Sequence, residues 1–247
     1  MSTIYILWLR QLKRYLRSKS RIVGSLGQPV LFLVALGFGL GPIFQKAGQG
    51  NYIQFLAPGI IAMSILFTSI FSGIEVIWDR QFGFLKETLV APVSRFGIMF
   101  GRTLGGATVA TFQGVIVLLI SLAVGFRPVL SGILPAFLLM LLIAILFTAL
   151  GTAIASRLED MQGFQLIMNF LVMPLFFLSG AFFPLTGLPK TLGIIVKIDP
   201  LTYGVDGIRG ALIGISHFGL PMDFMILSIL VLAVLGLGSW LFSKIQI

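Results

Sequence analysis

The side chains able to do chemistry are few and far apart. The chain has no cysteine and a single histidine, His217, which excludes a disulfide framework, a thiolate or multi-histidine metal site and a cysteine nucleophile. No Gly-x-x-x-x-Gly-Lys-Ser/Thr run occurs, so the backbone loop that cradles nucleotide phosphates is missing. His217, beside Phe218 and Gly219 and six residues before Asp223, reads as incidental. Glu75 is the acid nearest an apolar run, with Trp78, Asp79 and Arg80 close behind it. An acid within a membrane can mark a proton or cation path. Glu75 lies within about a turn of the run's end, which favours a local ion pair with Arg80 or a basic residue of the first helix. No chain of buried acids accompanies it, which argues against proton-driven transport. Gln165 and Asn169, four apart, share a helical face with Met161, Met173 and Phe176. Hydrogen bonds between helices are the plain reading of such amides.

The elements that must position these residues follow from composition. Of 247 residues, 57% are hydrophobic and only 10% charged, and the mean hydropathy is +1.07. A soluble domain carries about 25% charged residues, so an ordinary soluble enzyme, a disordered chain and a secreted mini-protein are excluded. Apolar runs long enough to cross a bilayer, about 20 residues each, lie near 22–44, 54–77, 104–125, 133–155, 164–183 and 224–243. The first is too long for a signal peptide's apolar core and precedes no small-x-small cleavage site, so it is expected to be retained. With cytoplasmic termini, 12 of the 17 Lys and Arg residues fall on the inside, as basic residues do in short connections. The net charge of +9 is thereby explained without a nucleic acid.

Three segments are not simple spans. In residues 1–20, Ile4, Leu7, Trp8, Leu12, Tyr15 and Leu16 take one side of a helical wheel and Arg10, Lys13, Arg14 and Arg17 the other. This is the pattern of a helix in the membrane interface, which is the preferred reading; a helix docked on a partner uses the same pattern. The connection 79–102 combines six charges with Phe82, Phe84, Leu85, Leu89 and Val90. Helical spacing places Phe82, Leu85 and Leu89 on one face, with a break at Pro92 and a new helix capped by Ser94. Such a helix presses on a partner or on lipid headgroups. Between spans five and six, residues 184–222 hold two apolar pieces, near 188–198 and 203–215. Both are too short to cross, which predicts re-entrant or interfacial helices.

The stretch from Leu178-Ser-Gly-Ala-Phe-Phe-Pro184 to Pro189, followed by Asp199-Pro-Leu-Thr-Tyr203 and Gly207-Ile-Arg209, resembles the ABC-2 type permeases of ATP-binding-cassette exporters. So do Gly83-x-x-x-Glu87 and Ala91-Pro-Val-Ser-Arg95 on the other side. The resemblance covers essentially the whole chain and is closest to short bacterial permeases of drug-resistance and lipo-oligosaccharide exporters. One departure is that the coupling segment opens Asp-Arg-Gln-Phe, where the family often has several acids and arginines. It implies an all-α polytopic protein of one domain, with six spans, an amphipathic N-terminal helix and short re-entrant helices between spans five and six. It also implies a bacterial inner membrane and a working unit of two permeases and two separate ATPase subunits that bind ATP and Mg, this chain itself holding no cofactor. The second permease is either a copy or a paralogue. Phe82, Gly83, Leu85, Glu87, Leu89, Pro92 and Arg95 then form the coupling contact. Phe67, Phe71, Asn169, Met173, Phe176 and Phe177 become candidates for the substrate path, and Pro184, Pro189, Pro200, Tyr203 and Arg209 the outer motif.

Three functions suit these features: export of a hydrophobic or amphipathic compound, export of a lipid-linked glycan or lipo-oligosaccharide, and a permease-like assembly or sensor protein that moves nothing. Nearly charge-free spans favour the lipophilic cargo.

Overall fold

The computed structural model describes residues 3–48, 50–90 and 93–244, apart from the side chains of Lys86, Leu89 and Ser243. Within them the chain forms eleven α-helices, one 3-10 turn at Leu130–Gly132 and no strand. These are α1 (Thr3–Arg17), α2 (Lys19–Lys46), α3 (Tyr52–Phe71), α4 (Ile74–Gln81), α5 (Phe84–Val90) and α6 (Arg95–Ala123), then α7 (Ile133–Ala155), α8 (Met161–Leu178), α9 (Lys190–Ile198), α10 (Pro200–Ile213) and α11 (Leu220–Ser243). Six stretches are long and apolar enough to cross a membrane: α2, α3 with α4, α6, the 3-10 turn with α7, α8 and α11.

The spans overlap those expected, and their ends differ for identifiable reasons. Span two runs on to Gln81 because Asp79 and Arg80 find partners inside the bundle. Span three starts at Arg95, where Ser94 accepts the Gly97 amide at 3.1 Å and caps the helix. Span five stops at Leu178, before the left-handed Gly180.

The core is built around α3, which packs against α2, α6, α7, α8 and α10 and is buried along nearly its whole length. The helix breaks at Ser72–Gly73, where Gly73 lies against the backbone of Gly151 in α7. A β-carbon at either glycine would collide with backbone, so this crossing depends on both. Helices α2, α8 and α11 leave most of their surface outside the fold.

Helix α1 packs one side against its own chain and leaves Tyr5, Ile6 and Leu16 exposed. It runs parallel to the first half of α6, its Ile4 and Leu7 against Gly101 and its Trp8 and Gln11 against Gly105. Trp8 Nε1 donates to Thr108 Oγ1 at 3.0 Å, and the Tyr15 hydroxyl to Gln113 Oε1 at 2.6 Å. Leu7 and Tyr15 are buried there, whereas Leu16, assigned to the same apolar side, is exposed.

Candidate functional site: a charged node, a short amphipathic helix and an aromatic cavity

The ends of α1, α2, α4 and α6 meet at one end of the bundle, where two acids each face two guanidiniums. Asp79 accepts from Arg10 and Arg102, each at 2.5 Å. Glu75 pairs with Arg21 of α2 at 3.1 Å and with Arg14 of α1 at 3.6 Å; Arg14 is the first-helix partner expected, and Arg21 is not among those expected. Arg80 instead donates to the carbonyls of Ser156 and Leu158, both at 2.7 Å, and so ties α4 to the α7–α8 turn. The rings join in: Arg14 lies 4.9 Å and Arg21 5.9 Å from the Trp78 ring centre. Arg102 is 4% exposed, and a guanidinium so buried is tolerable only because Asp79 neutralises it.

Helix α5 hangs from this node. Gly83, at φ +79°, makes the left-handed turn that reverses the chain after α4. Phe84 then sits beneath Arg10, 4.1 Å from guanidinium to ring centre. The expected common face of Phe82, Leu85 and Leu89 does not form as such. Phe82 ends α4, outside α5, and is 83% exposed, while Leu85 is 2% exposed and points into the chain. Leu85 is therefore corrected from a partner anchor to a core residue, because the turn at Gly83 puts it on the inner side of α5. The outward surface is Phe82, Glu87 and Val90. Arg95 is half-buried at the start of α6. Pro92 falls outside the described residues, as does the side chain of Leu89.

Above the node, α1, α2, α3 and α6 enclose a cavity of about 430 Å³ whose wall includes Tyr15, Arg21, Ser64, Phe67, Phe71 and Glu75. Its Phe67 and Phe71 belong to a cluster of rings. Phe67 stacks near Phe71 at 6.3 Å and meets Phe176 edge-on at 6.2 Å, and Phe71 meets Phe164 at 6.3 Å. Phe182 continues the cluster to Phe176 at 4.7 Å and across to Phe32 of α2 at 5.9 Å. Of the residues marked for a substrate path, Phe67, Phe71 and Phe176 come together and Phe177 touches the cluster at 5.5 Å from Phe176. Asn169 and Met173 lie on the exposed side of α8. Sequence reasoning missed Phe164 and Phe182. The spacing of Phe164, Met168, Val172 and Phe176, four residues apart and all buried, carried the signal for the inward face of α8.

The opposite end holds the proline- and glycine-rich motif. Asp199 caps α10 by accepting the Leu201 amide at 2.8 Å, with Pro200 as the first helical residue. Burial pushes the Asp199 carboxyl up to about 7 despite that amide and the Thr202 hydroxyl. Helix α10 is buried between α3, α7 and α11. Its Arg209 donates to the carbonyls of Gly180 at 2.9 Å and Phe55 at 3.3 Å and lies 4.0 Å from the Phe55 ring centre. Tyr203 donates to the Lys197 carbonyl at 2.8 Å and joins α10 to α9. Pro184 is half-buried in the preceding loop, and the exposed Pro189 opens α9. His217 contributes its amide, at 2.8 Å, to Asp206.

A sequence model of the family described as ABC-2 type transporter matches residues 2–213. The chain is 28% identical over 232 residues to the inner membrane transport permease YadH of Escherichia coli K12, covering 92% of this chain and 89% of that one. It is 28% identical over 212 residues to nodulation protein J of Rhizobium leguminosarum bv. trifolii, covering 85% and 78%. It is also 30% identical over 214 residues to the ycf38 permease of Cyanophora paradoxa, covering 83% and 72%.

Proposed function

The chain belongs to the ABC-2 type transporter family, and from that membership we propose that it is one of two permease subunits driven by two separate ATPase subunits to export a hydrophobic or amphipathic compound. As a member it is a multi-pass membrane subunit of a transporter. The remainder is our reading: a bacterial inner membrane, cytoplasmic termini, ATP and Mg on the partner, and outward movement.

One observation supports it above the rest. Helix α5 is joined to the cavity through a short run of contacts, Phe84 to Arg10, Arg10 to Asp79 and, a turn earlier on α4, Glu75 to Arg21. Glu75 and Arg21 are themselves cavity wall. An ATPase that binds Phe82, Glu87 and Val90 in one nucleotide state better than in another biases the position of α5, and α1 and α4 move with it. Closure and opening of the cavity then follow as a population shift whose size equals that differential affinity. The rings above the cavity suit an apolar body.

Export of a lipid-linked glycan is a second reading, supported by hydroxyl and amide groups of Ser25, Gln28, Ser64 and Thr68 on the same wall. The test is co-reconstitution with the cognate ATPase in liposomes. Amphiphile flux that requires ATP and raises hydrolysis supports the first reading; flux only of glycan-bearing lipids replaces it with the second. ATP hydrolysis by the isolated chain would overturn both.

A further inference from the structure

The cavity beside the charged node has a chemical polarity that the permease reading does not by itself specify. Its volume, about 430 Å³, falls within the roughly 300–1,000 Å³ of small-molecule sites. Along α3, Ser64, Thr68 and Ser72 recur at intervals of four and face the space beside Met63, Phe67 and Phe71. The Ser64 hydroxyl is buried with no hydrogen-bond partner among the described residues. At the basic end the wall passes to Tyr15, Arg21 and Glu75.

Charge decides the ligand class. Glu75 is faced by two guanidiniums, Arg14 and Arg21, which leaves one positive charge in excess at that end. Arg14 itself lines a second groove, along α1, of about 910 Å³, together with Arg10, Lys13, Arg17 and Lys19 and, among the described residues, with no acid. Arg21 on the cavity wall is 38% exposed on its side chain, and Arg14, 3.6 Å from the wall residue Glu75, is 35% exposed, so an incoming anion reaches them without breaking the core. A cationic headgroup would meet repulsion from this groove, and an uncharged one would gain nothing from it.

We propose that this cavity binds an amphiphile with an anionic headgroup, its apolar body along Met63, Phe67 and Phe71 and its acidic oxygens at Arg14 and Arg21. The proposal rests on the permease reading and narrows its cargo to molecules resident in an anionic membrane surface. The headgroup chemistry is that of a phosphate or carboxylate, carried by a lipid rather than free in solution, because the oxygen-binding end opens directly on the apolar one.

Trp78, which lines the cavity and lies against both arginines, supplies the test. The full chain with Trp8→Phe and Trp240→Phe is placed in phosphatidylcholine nanodiscs and titrated with brominated-acyl phosphatidylglycerol or brominated-acyl phosphatidylcholine. We expect saturable quenching of Trp78 with about tenfold preference for the anionic lipid, the size of one charged contact. Arg21→Gln should remove the preference and Arg21→Lys retain it, which separates charge from folding. Ser64→Phe should fill the space and abolish quenching, while Arg17→Gln on the groove side should leave it. Equal quenching by both lipids overturns the proposal. So does a loss in Arg17→Gln equal to that in Arg21→Gln with Ser64→Phe silent, since α1 would then merely attract an anionic surface. Displacement by inorganic phosphate alone overturns it as well, because the apolar body would not be recognised. Selective quenching in a chain that exports nothing would sink the permease reading and keep this site; export with unselective quenching would do the reverse.

Discussion

The guanidinium of Arg10 lies 4.1 Å from the ring centre of Phe84 while donating to Asp79 at 2.5 Å. One side chain on the first helix thus holds α5 against the end of span two. A cation–ring contact contributes about 0.5–2 kcal/mol, enough to fix the short α5 without freezing it. Arg10→Ala should leave the bundle folded, because Arg102 still neutralises Asp79, yet loosen α5. Hydrogen exchange over residues 84–90 should accelerate about tenfold, the equivalent of 1.4 kcal/mol. Unchanged protection there would show that α5 is held by Leu85 alone.

Removing the acid is a harsher change. Asp79→Asn leaves the 4% exposed Arg102 without a counter-charge, and breaking a buried pair in this way costs about 3–5 kcal/mol. Thermal unfolding in detergent should shift down strongly, whereas the double change Asp79→Asn with Arg102→Met should recover part of the loss. No recovery in the double variant would mean that the node is held by something other than charge pairing.

The two sides of α5 should respond oppositely. Leu85→Ala creates a cavity in the core and should cost about 2–5 kcal/mol of stability. Phe82→Ala with Val90→Ala alters only outward groups, so stability should stay within about 0.5 kcal/mol. The recovery of co-purified ATPase should nevertheless fall about tenfold, as it does when interface anchors are truncated. Normal recovery and export in that pair would locate the ATPase contact elsewhere.

At the opposite end, Arg209 answers two backbone carbonyls and stacks on Phe55. Arg209→Lys keeps the charge but loses the planar fork, so it should cost about 1.5–3 kcal/mol. Proteolysis in the loop between Gly180 and Pro189 is the readout, because the Gly180 carbonyl loses its donor. Equal proteolysis in variant and parent would show that the loop is held without Arg209.

Asp199 provides a pH signature. Its carboxyl is raised from the ordinary value of 3.8 to about 7, so between about pH 4 and 7 the folded chain holds a proton there that the unfolded chain has released. Its contribution to stability therefore falls as pH rises through that window and is level above it. Asp199→Asn keeps a capping oxygen for the Leu201 amide and should flatten this part of the dependence. Unfolding midpoints at pH 4.5 and 7.5 compare the two, and parallel slopes would rule out the assignment.

Local pattern determined much of this molecule. Charge-free length set the six spans, Ser94 set a helix start, and the brevity of the two apolar pieces after span five set two short helices, although the second begins at Pro200 under an Asp199 cap, three residues before the expected 203. Each is a property of residues adjacent in the chain. Periodicity also sorted most of α1, but not what its apolar side would meet.

Tertiary structure decided whatever depended on distant partners. Glu75 had Arg80 five residues away and bonded Arg21 and Arg14 across the fold, since Arg80 pointed instead to the carbonyls at the end of α7. Leu85 was grouped with Phe82 by spacing and parted from it by one left-handed turn at Gly83. The inward face of α8 was the one meeting Phe67 and Phe71, and the amide face stayed outside. A period fixes which residues share a side; only the packing of other helices decides which side is buried, and ion pairs form between whichever charges that packing brings within a few ångströms.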